Sequence, residues 1–232
     1  MADPKVAVLI GVGPGTGEAL ARRMAQDGYR VALLARSGET TEPLAQELSG
    51  IAVRCDASQP EDLRRALDEV RERLGPAHAL LYNAGSGSFG GLDDVDEADL
   101  ERAWRVNVLG LFTAVKALRN DLVANQGAVV VTGATASRRG VPFTTAFAQA
   151  KMGQRALCES LARALWKEQV HVALVVVDGV IDLPRTRERM KDKPDEFFVK
   201  PDEIAVTVAH LMRQPRSAWT FELEVRPFGE SW

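Results

Sequence analysis

Four glycines crowd the segment Gly11-Val12-Gly13-Pro14-Gly15-Thr16-Gly17, directly after the apolar run Val6–Ile10. Placed between a buried strand and a helix, such a cluster lets the backbone approach a pyrophosphate, which the unpaired N–H groups at the helix start stabilise. A plain tight turn needs one glycine, not four. The spacing is not a P-loop, because no Gly-Lys-Ser/Thr follows. Nor is it G-x-G-x-x-G, because Thr16 takes the last position; it is G-x-x-x-G-x-G with Gly11, Gly15 and Gly17. Gly13 and Thr16 belong to the same candidate phosphate loop. A second chemical position is the tip of the next apolar run, Leu34-Ala35-Arg36-Ser37. In dinucleotide folds an acid at this tip binds the ribose 2′-OH of NAD, whereas Arg accommodates a 2′-phosphate. No acid stands there, so Arg36 points to NADP(H) in preference to NAD(H).

The remaining reactive residue types offer less. His78, His171 and His210 show no ligand spacing, so no metal site is expected. Cys55 and Cys158 are far apart, which excludes a disulfide framework and fits a reducing cytoplasm. Gly85-Ser86-Gly87-Ser88 is not a nucleophile elbow, since no Ser sits in G-x-S-x-G. Arg138-Arg139 reads as a solvated pair.

The elements that must position these residues follow from periodicity. Short β-branched runs at Val6–Ile10, 31–35, Ile51–Arg54, Ala79–Tyr82, 129–132, 172–177 and 221–225 read as strands. Helical patterns cover 15–27, 43–48, 96–124, 142–167 and 201–213, and a Ser58/Glu61 capping box is expected to open another that runs to Leu74. Strands alternating with helices predict an α/β fold, a doubly wound parallel seven-stranded sheet of Rossmann type, with the site at the strands' carboxyl ends. No linker divides the chain, so residues 1–232 are read as one domain, with a charged irregular excursion near 182–200 placed as a substrate lid. A net charge of −3 with 26% charged residues excludes a generic basic nucleic-acid binder. No apolar run approaches a membrane span, and a soluble cytoplasmic protein is expected.

With these motifs in order, the chain resembles the short-chain dehydrogenases/reductases over nearly its whole length. Asn83-Ala84-Gly85 looks like the family's N-A-G signature, and Asp56 is similar to the acid that meets the adenine. The resemblance assigns Asn107 to the active-site Asn and Lys151 to the Lys of Y-x-x-x-K, where it would hold the nicotinamide ribose. Gly179 completes a Gly-containing turn after the sixth strand, Asp178-Gly179 here where Pro-Gly is usual. The two family hydroxyls are missing: Phe147 occupies the Tyr position and Ala134 the Ser position. Hydride transfer to a carbonyl leaves an alkoxide that needs a proton and a steadying donor, and neither side chain supplies one. Two readings follow. One is an NADP(H)-dependent oxidoreductase with an atypical site, acting on a small carbonyl, hydroxyl or activated alkene compound and drawing its proton from Thr135, Ser137, Thr145, Lys151 or water. The other is a catalytically silent NADP(H)-binding sensor or assembly protein. The resemblance also implies pairing of the two long helices into a homodimer or homotetramer, with Ala146, Ala150, Gly153 and Leu157 forming a stripe suited to close packing or to covering the sheet.

Overall fold

The structure, a computed structural model, describes residues 4–86 and 89–230. Its strands are β1 (Val6–Ile10), β2 (Arg30–Ala35), β3 (Ile51–Arg54), β4 (Ala79–Tyr82), β5 (Ala128–Ala134), β6 (His171–Val177), β7 (Val180–Ile181), β8 (Phe198–Val199) and β9 (Glu222–Val225). Seven of them form one parallel sheet in the order β3-β2-β1-β4-β5-β6-β9. The order reverses at β1, where Val8 lies between Ala32 of β2 and Leu80 of β4. A crevice opens at such a reversal, outside the strands' carboxyl ends. The expected α/β architecture is therefore observed.

The wholly apolar runs are explained by helices on both faces. Val6, Val8 and Ile10 join a core under α3 (Pro60–Leu74), α5 (Gly110–Ala124) and α6 (Thr145–Leu165). Ala7 and Leu9 point the other way, into a core under α1 (Thr16–Gln26), α2 (Gly38–Glu47) and α8 (Pro201–Met212). Each fully buried leucine such as Leu9 contributes about 2 kcal/mol by leaving water.

Three local expectations change. α2 starts at Gly38 and carries Pro43 inside it, giving up one backbone hydrogen bond. The Ser58/Glu61 capping box does not form: Pro60 opens α3, while Ser58 N donates to Asp56 Oδ1 at 2.9 Å. The long helix 96–124 is interrupted, with α4 (Glu97–Trp104) passing through a π-turn, Arg105–Leu109, into α5. The charged excursion is also more ordered than its composition suggests. It holds α7 (Pro184–Arg189) between β7 and β8, which pair in parallel.

Candidate functional site

The glycine segment turns from β1 into α1 at the crevice. Gly11 has φ 89° and lies so close to Ala84 that any Cβ would strike its backbone N. Asn83 Nδ2 donates to the Gly11 carbonyl at 2.9 Å, so Asn83 ties β4 to this loop. Gly15 has φ 95°, and its Cα faces the side chain of Leu183. At Gly13 a Cβ would meet nothing within 4 Å, and Gly17 packs against Gly11 and Val12. Thr16, in the first turn of α1, is buried with Oγ1 unpaired among the described residues. An orphaned hydroxyl beside free helix N–H groups and open backbone fits a phosphate. Arg36 stands exposed just past β2 and makes no side-chain hydrogen bond or ion pair among the described residues. Asp56 faces the start of α3, its Oδ1 held by Ser58 N.

Asn107 and Lys151 meet on the far side of the crevice. Asn107 is fully buried in the π-turn, where its Nδ2 donates to Ala103 O at 2.8 Å and its Oδ1 has no partner among the described residues. Lys151 is 5% exposed on α6, and Nζ donates to Thr132 O and to Gln154 Oε1, both at 2.9 Å. Burial pulls the Lys151 pKa down to about 8. Both polar atoms face Gly85, where an added Cβ would lie 3.5 Å from Asn107 Oδ1 and 3.6 Å from Lys151 Nζ. Phe147 is half-buried one turn before Lys151, its ring centroid 6.0 Å from Nζ and 5.1 Å from the Phe89 ring.

Ala134 ends β5 and donates its N–H to Ser137 Oγ at 3.1 Å. Thr135 Oγ1 donates to Asp178 Oδ1 at 2.5 Å. Asp178 is 3% exposed and also faces Arg139 and Arg226. Beyond it, a Cβ on Gly179 would press on Pro227 at 2.7 Å. Asp182 accepts from Arg187 Nε at 2.6 Å and from Lys200 Nζ at 2.7 Å, and Asp195 shares both cations. The Arg187 hydrogen bonds, then Lys200, hold the Asp182 carboxyl far below the usual carboxylate range.

The short chain dehydrogenase family model matches residues 5–194. The chain belongs to the short-chain dehydrogenase family. It is 29% identical over 218 residues to a 3-oxoacyl-[acyl-carrier-protein] reductase of Mus musculus, covering 91% of this chain and 92% of that protein. Its structure is similar to an alcohol dehydrogenase of Thermococcus sibiricus complexed with 5-hydroxy-NADP, with a TM-score of 0.87 at 30% identity over 98% of each chain. A blue fluorescent protein from a metagenomic library, in complex with NADPH, superposes with a TM-score of 0.86 at 27% identity over 98% of each chain.

Within this short-chain dehydrogenase, the structure brings the glycine loop, Asn83-Ala84-Gly85, Asn107, Lys151, Phe147 and Ala134 to the carboxyl ends of β1, β4 and β5. Arg36 and Asp56 lie further along the same edge, past β2 and β3. Two buried polar residues were not singled out from sequence as site residues, Gln154 and Asp178. Gln154 left a signal: it follows Phe147 and Lys151 at helical spacing on an otherwise small and apolar stripe that ends at Cys158. Asp178 follows the six-residue apolar run 172–177 of β6. A described group of three or more possible metal ligands is not found.

Proposed function

We propose that this chain binds NADP(H), in preference to NAD(H), and is an oxidoreductase whose active site works without the family's Ser and Tyr. One observation carries the reading. Lys151 Nζ and Asn107 Oδ1 converge on Gly85 beside Phe147, with no phenol in reach. The two tyrosines lie elsewhere: Tyr82 is buried and donates to Val106 O, and Tyr29 precedes β2 at the opposite edge of the sheet.

The chain's own groups divide the work. The glycine loop, Thr16 and the start of α1 hold the pyrophosphate, Arg36 the 2′-phosphate and Asp56 the adenine side. Asn83, Ala84, Gly85 and Gly179 wall the nicotinamide end. Bound NADPH supplies a hydride. Among the hydroxyls considered as proton sources, Thr135 spends its proton on Asp178, and Ser137 is buried against Ala134 N. Lys151 keeps one N–H beyond its two protein partners, and a pKa near 8 suits a general acid at neutral pH. The Lys151 ammonium then gives its proton to the developing alkoxide, and the neutral amine regains one from solvent. The substrate is a small carbonyl, hydroxyl or activated alkene compound entering past Phe89 and Phe147. The protein works in the cytoplasm as a homodimer or homotetramer, and residues 182–200 form its substrate lid on a single domain.

The second reading, a silent NADP(H)-binding sensor or assembly protein, is favoured by Phe147 itself, whose ring packs on Phe89 where the family's phenol would stand. Titration with NADPH and NADH tests the shared part. Charge-assisted bonds from Arg36, worth about 1.5–3 kcal/mol, give roughly ten- to a hundredfold preference for NADPH. Arg36→Ala removes it. Equal affinities for the two nucleotides would sink the assignment. NADPH oxidation across a panel of carbonyls then separates the readings: binding with no turnover on any of them selects the silent protein.

A further inference from the structure

Gln154 sits on α6 with no exposed surface at all. A buried amide needs partners at both ends, and here each end has one partner of fixed kind. Oε1 accepts from Lys151 Nζ, a group that only donates, at 2.9 Å. Nε2 donates to the main-chain oxygen of Asn107, a group that only accepts, at 2.9 Å. The amide therefore has one orientation. It links α6 directly to the π-turn. We infer that Gln154 is a positioning residue, which fixes the Lys151 ammonium between Thr132 O and its own Oε1 and so aims the third N–H at the open side by Gly85.

The bridge is selective in what it transmits. A primary amide does not titrate, so it passes no proton between Lys151 and the π-turn, and it sets direction and charge stability only. The groups that act on Lys151 are few. From β5 it meets the Thr132 carbonyl and from α6 the Phe147 ring, and the Asn107 side chain of the π-turn faces the same point by Gly85. The titratable neighbour is the Cys158 thiol on α6, which burial pushes up to about 12 and thus keeps neutral. With no carboxylate beside it among the described residues, the ammonium depends on carbonyl and amide oxygens, and Gln154 supplies one of the two. This inference rests on the reading that Lys151 serves the NADP(H) site, but its decisive measurement does not need the nucleotide.

The titration midpoint of Lys151 is followed by 13C NMR of the lysine side chains in the ligand-free protein, its signal assigned by its loss in Lys151→Met. Gln154→Met keeps the volume and removes both bonds. It should lower the midpoint by about one unit, because the charged form loses an acceptor. Gln154→Glu places an anion on the ammonium and should raise the midpoint by about 1–3 units. Midpoints that agree with wild type to within ~0.3 unit in both variants overturn the inference. If Gln154→Met does not fold, Gln154→Glu alone decides. NADPH titration is the second arm. Gln154→Met should weaken binding roughly tenfold in the wild-type background and have no effect in Lys151→Met, the pattern of two residues acting as one unit. A loss that persists in Lys151→Met shows a general packing defect and overturns the positioning role. Absence of NADPH binding in wild type would instead refute the cofactor reading and leave the NMR result standing.

Discussion

Phe147 is the side chain on which the proposed activity turns. Its ring lies half-buried against Phe89 with its centroid 6.0 Å from Lys151 Nζ, the group that faces Gly85 together with Asn107 Oδ1. Phe147→Tyr with Ala134→Ser should therefore raise NADPH-dependent reduction of simple ketones. A positioned acid contributes about 10²–10⁴ in rate and an oxyanion donor about 10²–10³. No gain, together with a lowered melting temperature, would mean that the new hydroxyl is buried without a partner. Lys151 makes a second, independent statement at this scale. Its folded pKa is depressed from 10.5 to about 8, so between these values the unfolded chain holds a proton that the folded one has released. Stability from this group therefore rises with pH across that window, by roughly 3 kcal/mol in all. Cys55 and Cys158, both pushed up to about 12, work in the opposite sense above pH 9, so the difference between wild type and Lys151→Met is the quantity to read. Urea unfolding at pH 7.5 and pH 10 should show that difference shifting in favour of wild type at the higher pH. A pH-independent difference would contradict a buried ammonium.

At the scale of elements, the base of the 182–200 segment is clamped. Asp182 and Asp195 each bind Arg187 and Lys200, and Arg187 lies 4.0 Å from the Phe198 ring centroid. These bonds engage both Asp182 carboxylate oxygens. Partly exposed ion pairs are individually weak, so Asp182→Asn should cost only about 1 kcal/mol, felt locally. Proteolysis within 184–197 should then run several-fold faster than in wild type, and an unchanged rate would remove the clamp from the account. The low Asp182 pKa keeps this contribution in place down to about pH 4, losing it only as pH falls through the folded value. The uneven legibility of the chain has the same physical roots. Strands β1, β2, β4, β5 and β6 could be read because burial on both faces demands apolar runs. The glycine loop could be read because close backbone approach excludes side chains. The π-turn at Arg105–Leu109 could not, because one added residue in a helical turn barely alters the hydrophobic period. The Ser58/Glu61 box failed because Asp56 Oδ1 takes the Ser58 N–H, Asp62 Oδ2 in turn takes the Asp56 N–H, and Pro60 sets the start of α3. Asp56 and Asn83 were legible in position but not in contact, since both spend bonds on holding their own loops.

For the whole molecule, the open question is what α4, α5 and α6 face. The small-residue stripe once available for pairing is largely spent inside the protomer. Ala146 and Ala150 are fully buried with Ala103 of α4, and a Cβ on Gly153 would lie 3.2 Å from Val108 of the π-turn. Close packing at these positions thus belongs to the fold. What remains outside is larger: Leu100 and Trp104 on α4, Phe112 on α5 and Met152 on α6 are each 36–44% exposed. A charged monomer surface rarely leaves several large apolar side chains on neighbouring helices, and Trp and Met are enriched in the desolvated centres of interfaces. Pairing through these helices would bury them, and a two-fold axis would make the contact self-complementary. Light scattering at micromolar concentration should therefore return a multiple of the 25.2 kDa chain mass. Trp104→Glu should shift the protein towards monomer, because the two charges would face each other's apolar surroundings across the axis. Gly153→Ala should instead lower stability without changing mass, because its neighbour Val108 is in the same chain. A 25 kDa species for wild type would end the argument for pairing, and a Trp104→Glu variant of unchanged mass would move the interface elsewhere on the surface.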